Sequence, residues 1–245
     1  MLYLWCKLIS IAKKAMKQIR RHTQMNNKIL GAVASTVLGT TLLTASFSAS
    51  ADDHQLAISG NAGIMSDYIF RGIIQDDAVG NGGVDLEFGG AYAGVWAADV
   101  GEGIEYDLYG GYIHEFESAY VGVGYTAYRY TEANFDDNYD EINLYAGASM
   151  GELAIDLEYT VGEYDGGYSN GGDDYAFTAV TGNYGGAYIT YGDWGKDASS
   201  DLGSYFEVGY TMELGGLELT GAIVDTTDAD AIDEPDETQA YVSIH

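Results

Sequence analysis

Residues 153–161 read Leu-Ala-Ile-Asp-Leu-Glu-Tyr-Thr-Val, and their alternation decides the fold class. Apolar or aromatic side chains stand at every odd position, and small, acidic or hydroxyl side chains, including Asp156 and Glu158, stand at every even position. Successive side chains of a β-strand point to opposite faces, so this period of two predicts a strand with one apolar and one acidic face. The acidic face cannot be a dry core, because an unpaired buried charge is strongly unfavourable.

The same alternation recurs in twelve segments from Leu56 onward. Most segments are about ten residues long, which is the length that a tilted strand needs to cross a bilayer core. We therefore predict an all-β fold, a transmembrane antiparallel up-and-down β-barrel of about 12 strands (roughly 10–14). The segments cover residues 55–70, 82–89, 91–98, 104–113, 119–130, 141–150, 153–162, 174–182, 184–194, 203–212, 217–225 and 237–244.

The links between these segments alternate in length, which favours a membrane barrel. Tight turns on one rim and long polar loops on the other are typical of outer-membrane barrels. The alternative is a soluble lipocalin-like barrel of about eight strands around an apolar cavity, and the acidic face disfavours it. The short links lie near residues 89–90, 114–118, 151–152, 183 and 213–216, and the longer ones at 71–81, 99–103, 131–140, 163–173, 195–202 and 226–236.

The first 51 residues are interpreted as an N-terminal extension followed by a signal peptide. A basic region up to Lys28 precedes an apolar run that ends in Ala49-Ser50-Ala51, which is the order of features in a secretory signal. We expect translation to start at Met25, cleavage to follow Ala51, and residues 52–245 to form one outer-membrane barrel domain. The alternative, a transmembrane anchor, is disfavoured by the Ser and Thr residues in the run.

The part of the chain after the leader is strongly acidic. It contains all 38 Asp and Glu residues but only three Lys or Arg, Arg71, Arg129 and Lys196, which gives a net charge of −35 (3 minus 38). Nucleic-acid binding is excluded, because it requires a basic face. Cys6, the one cysteine, lies in the leader, so the barrel has neither a disulfide nor a cysteine-ligated metal site.

The acidic face supplies the candidate lumen and selectivity residues. Arg129 lies between Tyr128 and Tyr130 and is expected on the lumenal side, where it would pair with acids and narrow the channel. Arg71 follows the first strand and is expected to anchor the adjoining outer loop. A structural salt bridge is the alternative for both arginines. The carboxylates expected to line the lumen are Asp85, Glu87, Glu105, Asp107, Asp156, Glu158, Glu207 and Glu218.

Aromatic residues recur near the segment ends, which predicts girdles at the two membrane interfaces. The alternative is that tyrosine is simply common in strands. These residues are Tyr68, Phe70, Tyr92, Trp96, Tyr112, Tyr128, Tyr130, Tyr164, Tyr175, Tyr184, Trp194 and Tyr205.

Cofactors and catalysis have little support. Asp228, Asp230 and Asp233 are weak calcium candidates without the spacing of a preformed loop, and solvated charge is the alternative. No cofactor is expected. The histidines after the leader, His54, His114 and His245, all fall on the predicted short-turn rim and form no catalytic arrangement, so we expect no enzyme activity.

Residues 66–75, SDYIFRGIIQ, resemble the opening signature of the TorF-like porin family of bacterial outer-membrane proteins. Four further stretches follow in the order of that family: 83–87, 92–96, 105–112 and 124–128. The resemblance implies a single outer-membrane β-barrel with a porin-like role. The sequence departs from the usual pattern at His245, because outer-membrane barrels generally end in an aromatic residue that the assembly machinery reads.

These observations predict passive diffusion of small hydrophilic solutes with a preference for cations, because lumenal carboxylates concentrate cations and repel anions. The expected partners are outer-membrane lipid, the outer-membrane assembly machinery, and the solutes or cations themselves; a homo-oligomer is left open. A non-conducting structural or adhesive barrel and an outer-membrane enzyme are the alternative functions.

Overall fold

Twelve antiparallel strands close into a barrel in the computed structural model, which describes residues 56–132, 138–164, 174–195, 203–227 and 238–245. Each strand pairs with the next in sequence, and the last pairs with the first. The predicted fold class and strand number are confirmed. Within the described ranges, no helix is long and apolar enough to cross a membrane.

The strand bounds agree with the predicted segments to within three residues, except at the second strand, which begins well before residue 82. The strands are β1 Ala57–Phe70, β2 Ile73–Phe88, β3 Ala91–Asp99, β4 Ile104–Glu115, β5 Ala119–Tyr130, β6 Tyr139–Met150, β7 Leu153–Tyr164, β8 Asp174–Tyr184, β9 Ala187–Trp194, β10 Ser204–Leu214, β11 Leu217–Thr227 and β12 Thr238–Ile244.

One rim carries only short turns. Two-residue links join β2 to β3, β6 to β7, β8 to β9 and β10 to β11, and residues 116–118 join β4 to β5. Gly89 and Gly90 have φ angles of 56° and 85°, and Gly215 and Gly216 have φ angles of 66° and 86°. Positive φ at both central residues matches the twist of hairpin strands and favours glycine. The strand ends that flank the other predicted longer links lie on the opposite rim, whereas residues 71–81 do not form a link of that kind.

The two faces of the wall differ as the alternation predicts. On β7, the apolar and aromatic residues at positions 153, 155, 157, 159 and 161 face outward and are 41–48% exposed. Their neighbours Asp156, Glu158 and Thr160 face inward, where they hydrogen-bond to other lumenal side chains. The barrel therefore has an apolar outer surface and a polar, acidic interior.

Tyrosine rings on the inner face lie over glycines of the adjacent strand. A Cβ atom at Gly94 would collide with the ring of Tyr109, and one at Gly209 would collide with the ring of Tyr188. The rings cover backbone that would otherwise lack side-chain packing, which compensates for the low strand propensity of glycine. This packing gives a physical use for the 34 Gly and 22 Tyr residues of the chain.

Candidate functional site

The hairpin of β1 and β2 leaves the barrel wall at the rim of the longer links. β1 pairs with β12 at Ile64 and Met65, and β2 pairs with β3 only from Asn81 onward. Between these points β1 and β2 pair with each other, and the register shifts between Tyr68 and Ile69. Such an irregularity bends a strand locally. We call residues 67–79 the inner hairpin.

The tip of the inner hairpin lies inside the lumen. Arg71 is 3% exposed, and its main-chain oxygen accepts a hydrogen bond of 2.9 Å from Trp194 Nε1 on β9. The main-chain oxygen of Gly72 accepts one of 2.7 Å from Thr226 Oγ1 on β11. The expectation of an outer loop at 71–81 is therefore wrong, because these residues form a two-residue turn and a strand that cross to the far wall.

The turn itself requires an unusual backbone. Arg71 and Gly72 both have positive φ, 48° and 86°, which suits a two-residue hairpin turn. A Cβ atom at Gly72 would lie 2.7 Å from Cβ of Tyr205, so the close approach of the turn to β10 excludes a side chain there. Glycine at position 72 thus allows the tip to pack against the wall.

Arg71 joins the inner hairpin to β6 and β7 through two ion pairs. Its Nη1 and Nη2 atoms donate to Oε1 and Oε2 of Glu141 at 2.5 and 3.1 Å, and Nη2 also donates to Oε1 of Glu158 at 2.7 Å. The planar guanidinium suits this forked contact. Its Cζ atom also lies 4.3 Å from the ring centroid of Phe177 and 5.5 Å from that of Trp194, within the range of cation–π attraction.

Glu141 is the residue that sequence reasoning missed. It is fully buried and accepts hydrogen bonds from Tyr175 at 2.6 Å, Asn143 at 3.0 Å and Tyr128 at 3.1 Å. Asn143 continues the network to Thr160 at 2.9 Å. Glu141 is the first residue of the predicted segment 141–150, so the same period-two rule that selected the other acids would have found it.

The eight predicted carboxylates all lie on the inward face, as their cross-strand register places them. Several are held by tyrosine hydroxyls, which supply a hydrogen bond without cancelling the negative charge. Among the described residues, Arg71 is the only Lys or Arg on this face. The hydroxyl pairs are Tyr68 with Glu105 (2.6 Å), Tyr109 with Asp85, Tyr120 with Asp156 (2.8 Å) and Tyr188 with Glu207 (2.6 Å).

Arg129 does not line the lumen. It lies across from Tyr106 on the outward face, and its Nη2 atom donates to Asp140 Oδ1 at 2.7 Å near the rim of the longer links. The residues on either side, Tyr128 and Tyr130, lie across from the inward-facing Asp107 and Glu105. The expectation for Arg129 is wrong because the two tyrosines, and not the arginine, share the face of the acids.

Most of the aromatic residues predicted for interfacial girdles instead fill the lumen around the inner hairpin. Strand parity decides their direction, and a ring near a strand end can face either way. Tyr112 and Tyr184 do face outward and are exposed. The side chain of Tyr164 lies outside the described residues. The buried set comprises Tyr68, Phe70, Trp96, Tyr128, Tyr175, Trp194 and Tyr205.

Several buried polar atoms of the lumen find no hydrogen-bond partner in the part of the chain that the structure describes. They include Asp107 Oδ1, Trp96 Nε1, both amide atoms of Asn61 and Asn81, and the hydroxyls of Tyr92 and Tyr145. Buried polar groups normally have partners. These walls are therefore chemically suited to water or to a hydrophilic solute rather than to an apolar ligand.

The remaining candidates that fall within the described ranges form no second site. His114 contacts Phe116 near the short-turn rim, and His245 follows β12, where burial lowers the pKa of its imidazole. His54, the calcium candidates Asp228, Asp230 and Asp233, and Lys196 lie outside the described residues. Over the described ranges, no group of three or more His, Cys, Asp or Glu residues could hold a metal ion.

Comparison with known proteins identifies the family. Residues 49–241 match the family described as "Bacterial protein of unknown function (Gcw_chp)", and the chain belongs to this family. No curated protein matches the sequence. The family description assigns no activity, so the porin role implied by the TorF-like resemblance stays a prediction.

Solved structures that are similar to this chain have longer chains. OccAB3 of Acinetobacter baumannii is 10% identical with a TM-score of 0.39, over 80% of this chain and 65% of that one. The outer membrane protein OpdK from Pseudomonas aeruginosa is 15% identical with a TM-score of 0.39, over 77% and 65%. A BenF-like porin from Pseudomonas fluorescens is 14% identical with a TM-score of 0.38, over 77% and 63%. The chain thus spans less than two thirds of their length.

Proposed function

We propose that this protein is an outer-membrane channel for the passive diffusion of small hydrophilic solutes, with a preference for cations. The observation that carries the proposal is the inward set of carboxylates, of which Asp85, Glu105, Asp156 and Glu207 accept hydrogen bonds from neutral tyrosines. Negative charge held in a low-dielectric wall raises the local concentration of cations and repels anions. The channel is proposed to be non-enzymatic and to need no cofactor.

The outer surface supports the membrane location. Exposed apolar side chains cover the outward faces of the strands. An apolar surface of this kind is unfavourable in water, where it would lead the protein to associate with itself or with other apolar surfaces. A closed barrel pairs its strand edges, here with the exception of the part of β12 that the inner hairpin leaves, and it is one of the two architectures that lipid tolerates. We propose outer-membrane lipid and the assembly machinery as partners, and export through cleavage after Ala51.

A closed, non-conducting barrel is the second candidate, and the inner hairpin favours it. The tip of the hairpin and the aromatic rings around it occupy the lumen near the rim of the longer links. A barrel blocked in this way would serve a structural or adhesive role. The two candidates differ in whether ions cross the wild-type barrel.

Reversal potential in planar bilayers tests the preferred function. A KCl gradient across wild-type channels is expected to give the potential of a cation-preferring pore. Replacing Asp85, Asp156 and Glu207 together by Asn, Asn and Gln should reduce that preference, because the amides keep the acceptor for each tyrosine but lose the charge. Asp140→Asn, which neutralises an outward acid, is the control. Anion preference would refute the charge argument, and absence of conductance would favour the closed barrel.

A further inference from the structure

We propose that Glu141 and Glu158, together with Phe177 and Trp194, form a lumenal binding site for organic cations of the guanidinium class, and that Arg71 occupies this site as an internal ligand. A solute of this class would compete with Arg71 and release the inner hairpin from the far wall. The role of the site in transport rests on the proposed channel function, whereas the binding itself does not.

The acids of this site are positioned independently of Arg71. Tyr128, Tyr175 and Asn143 all hydrogen-bond to Glu141, and Thr160 donates to Oε1 of Glu158 at 2.9 Å. All of these residues lie on wall strands β5 to β8. The site is therefore held by the barrel wall and would keep its geometry when the guanidinium leaves, which is the condition for a preorganised receptor.

Negative charge at the site exceeds the charge of Arg71. Glu141 and Glu158 both face the one guanidinium of Arg71. Asp107 is 1% exposed, and its Oδ1 atom has no hydrogen-bond partner among the described residues. A buried carboxyl oxygen without a partner is unfavourable, and a solute cation with N–H donors at this level would supply one.

The shape of the site selects the cation. The forked contact with Glu141 matches two parallel N–H donors, and the rings of Phe177 and Trp194 lie over the guanidinium carbon. A planar, delocalised cation satisfies the carboxylates and the rings together, whereas a strongly hydrated inorganic ion uses only the charge.

The element that supplies Arg71 is separate from the wall. Residues 67–79 are paired with each other and not with β12 or β3, so the hairpin can move without breaking the pairing of the wall strands. A ligand shifts a conformational equilibrium when it binds one state better than the other. A guanidinium solute binds only the state from which Arg71 has withdrawn, and it therefore favours an unblocked lumen.

Binding of ethylguanidinium to the refolded exported protein in detergent tests the site. It reproduces the end of an arginine side chain, and tryptophan fluorescence or calorimetry reports binding. Arg71→Ala should bind it saturably and at least about tenfold more tightly than wild type, because the site is empty of its internal ligand. Adding Glu141→Gln and Glu158→Gln should abolish this gain. Arg129→Ala, which removes the outward ion-paired arginine, should behave like wild type.

Equal binding by wild type and Arg71→Ala, or retained binding after neutralisation of both glutamates, would overturn the proposal. Heat-modifiable gel migration checks that each variant folds, and Arg71→Gln, which keeps the length of the side chain, is the second variant. Failure of both variants to bind also overturns it. Conductance separates the two proposals. Binding without conductance would support the binding site and refute the channel function, whereas conductance without binding would support the channel function and refute the binding site.

Discussion

Leu157 stands in the middle of the outward apolar row of β7, and its replacement by arginine tests whether this face meets lipid. Leu157 is 48% exposed, and Ile104, at the first position of β4 on the rim of the longer links, is 49% exposed. The two sites thus differ in depth and not in exposure. An arginine costs about 2–4 kcal/mol at the bilayer midplane and about 0–1 kcal/mol near the interface. In a soluble barrel both changes would stay within about 0.5 kcal/mol.

Urea unfolding in lipid vesicles, followed by tryptophan fluorescence, measures this difference. We expect Leu157→Arg to lower the free energy of unfolding by about 2–4 kcal/mol and Ile104→Arg by about 0–1 kcal/mol. The reasoning is refuted if Leu157→Arg is no more destabilising than Ile104→Arg, because the apolar band would then not lie in the hydrocarbon region.

Three further predictions concern the interior and the last residue. Gly94→Ala should lower the free energy of unfolding by about 1–3 kcal/mol, because the new Cβ atom collides with the ring of Tyr109. Gly221→Ala, whose Cβ atom would lie in open space, should leave the free energy of unfolding unchanged. Equal effects of the two substitutions in urea unfolding would contradict the packing. Tyr188→Phe removes a hydrogen bond of 2.6 Å to Glu207, which also accepts one of 2.8 Å from Tyr241. The substitution should lower the free energy of unfolding by about 0.5–1.5 kcal/mol in the same assay. An unchanged free energy of unfolding would mean that the hydrogen bond is not formed. Burial lowers the pKa of His245 from its usual 6.5, so the stability that its neutral form contributes is complete above about pH 6.5 and falls as the pH drops below that value. Between pH 8 and pH 5, wild type should therefore lose unfolding free energy relative to His245→Phe. A difference between the two proteins that is independent of pH would contradict this.

The strand pattern was predictable because the alternation within each strand shows which side chains face the lumen and which face outward. Leu157 and Asp156 occupy opposite parities, and the same rule assigns every acid of the predicted set to the inner face. The prediction for Arg129 was wrong because the neighbouring tyrosines were expected to face lipid, although Tyr128 and Tyr130 share the face of the acids. Parity within β5 was sufficient to correct that assignment, since Arg129 shares the parity of Val121 and Val123, which face outward.

The inner hairpin could not be predicted in the same way. Residues 71–81 contain glycines and two adjacent aspartates, Asp76 and Asp77, which locally resemble a loop. The contacts that fix the hairpin join Arg71 to residues 70 and 87 positions away, Glu141 and Glu158. No local pattern encodes such pairings, so the role of Arg71 becomes visible only when the barrel closes.

Refolding of residues 52–245, the proposed exported form, most directly tests the central claim that the barrel spans a membrane. The protein is transferred from urea into lipid vesicles, into detergent and into plain buffer, and barrel formation is followed by heat-modifiable gel migration. We expect the compact, heat-sensitive form with lipid or detergent and aggregation in plain buffer. A folded, monomeric species in plain buffer would contradict the claim.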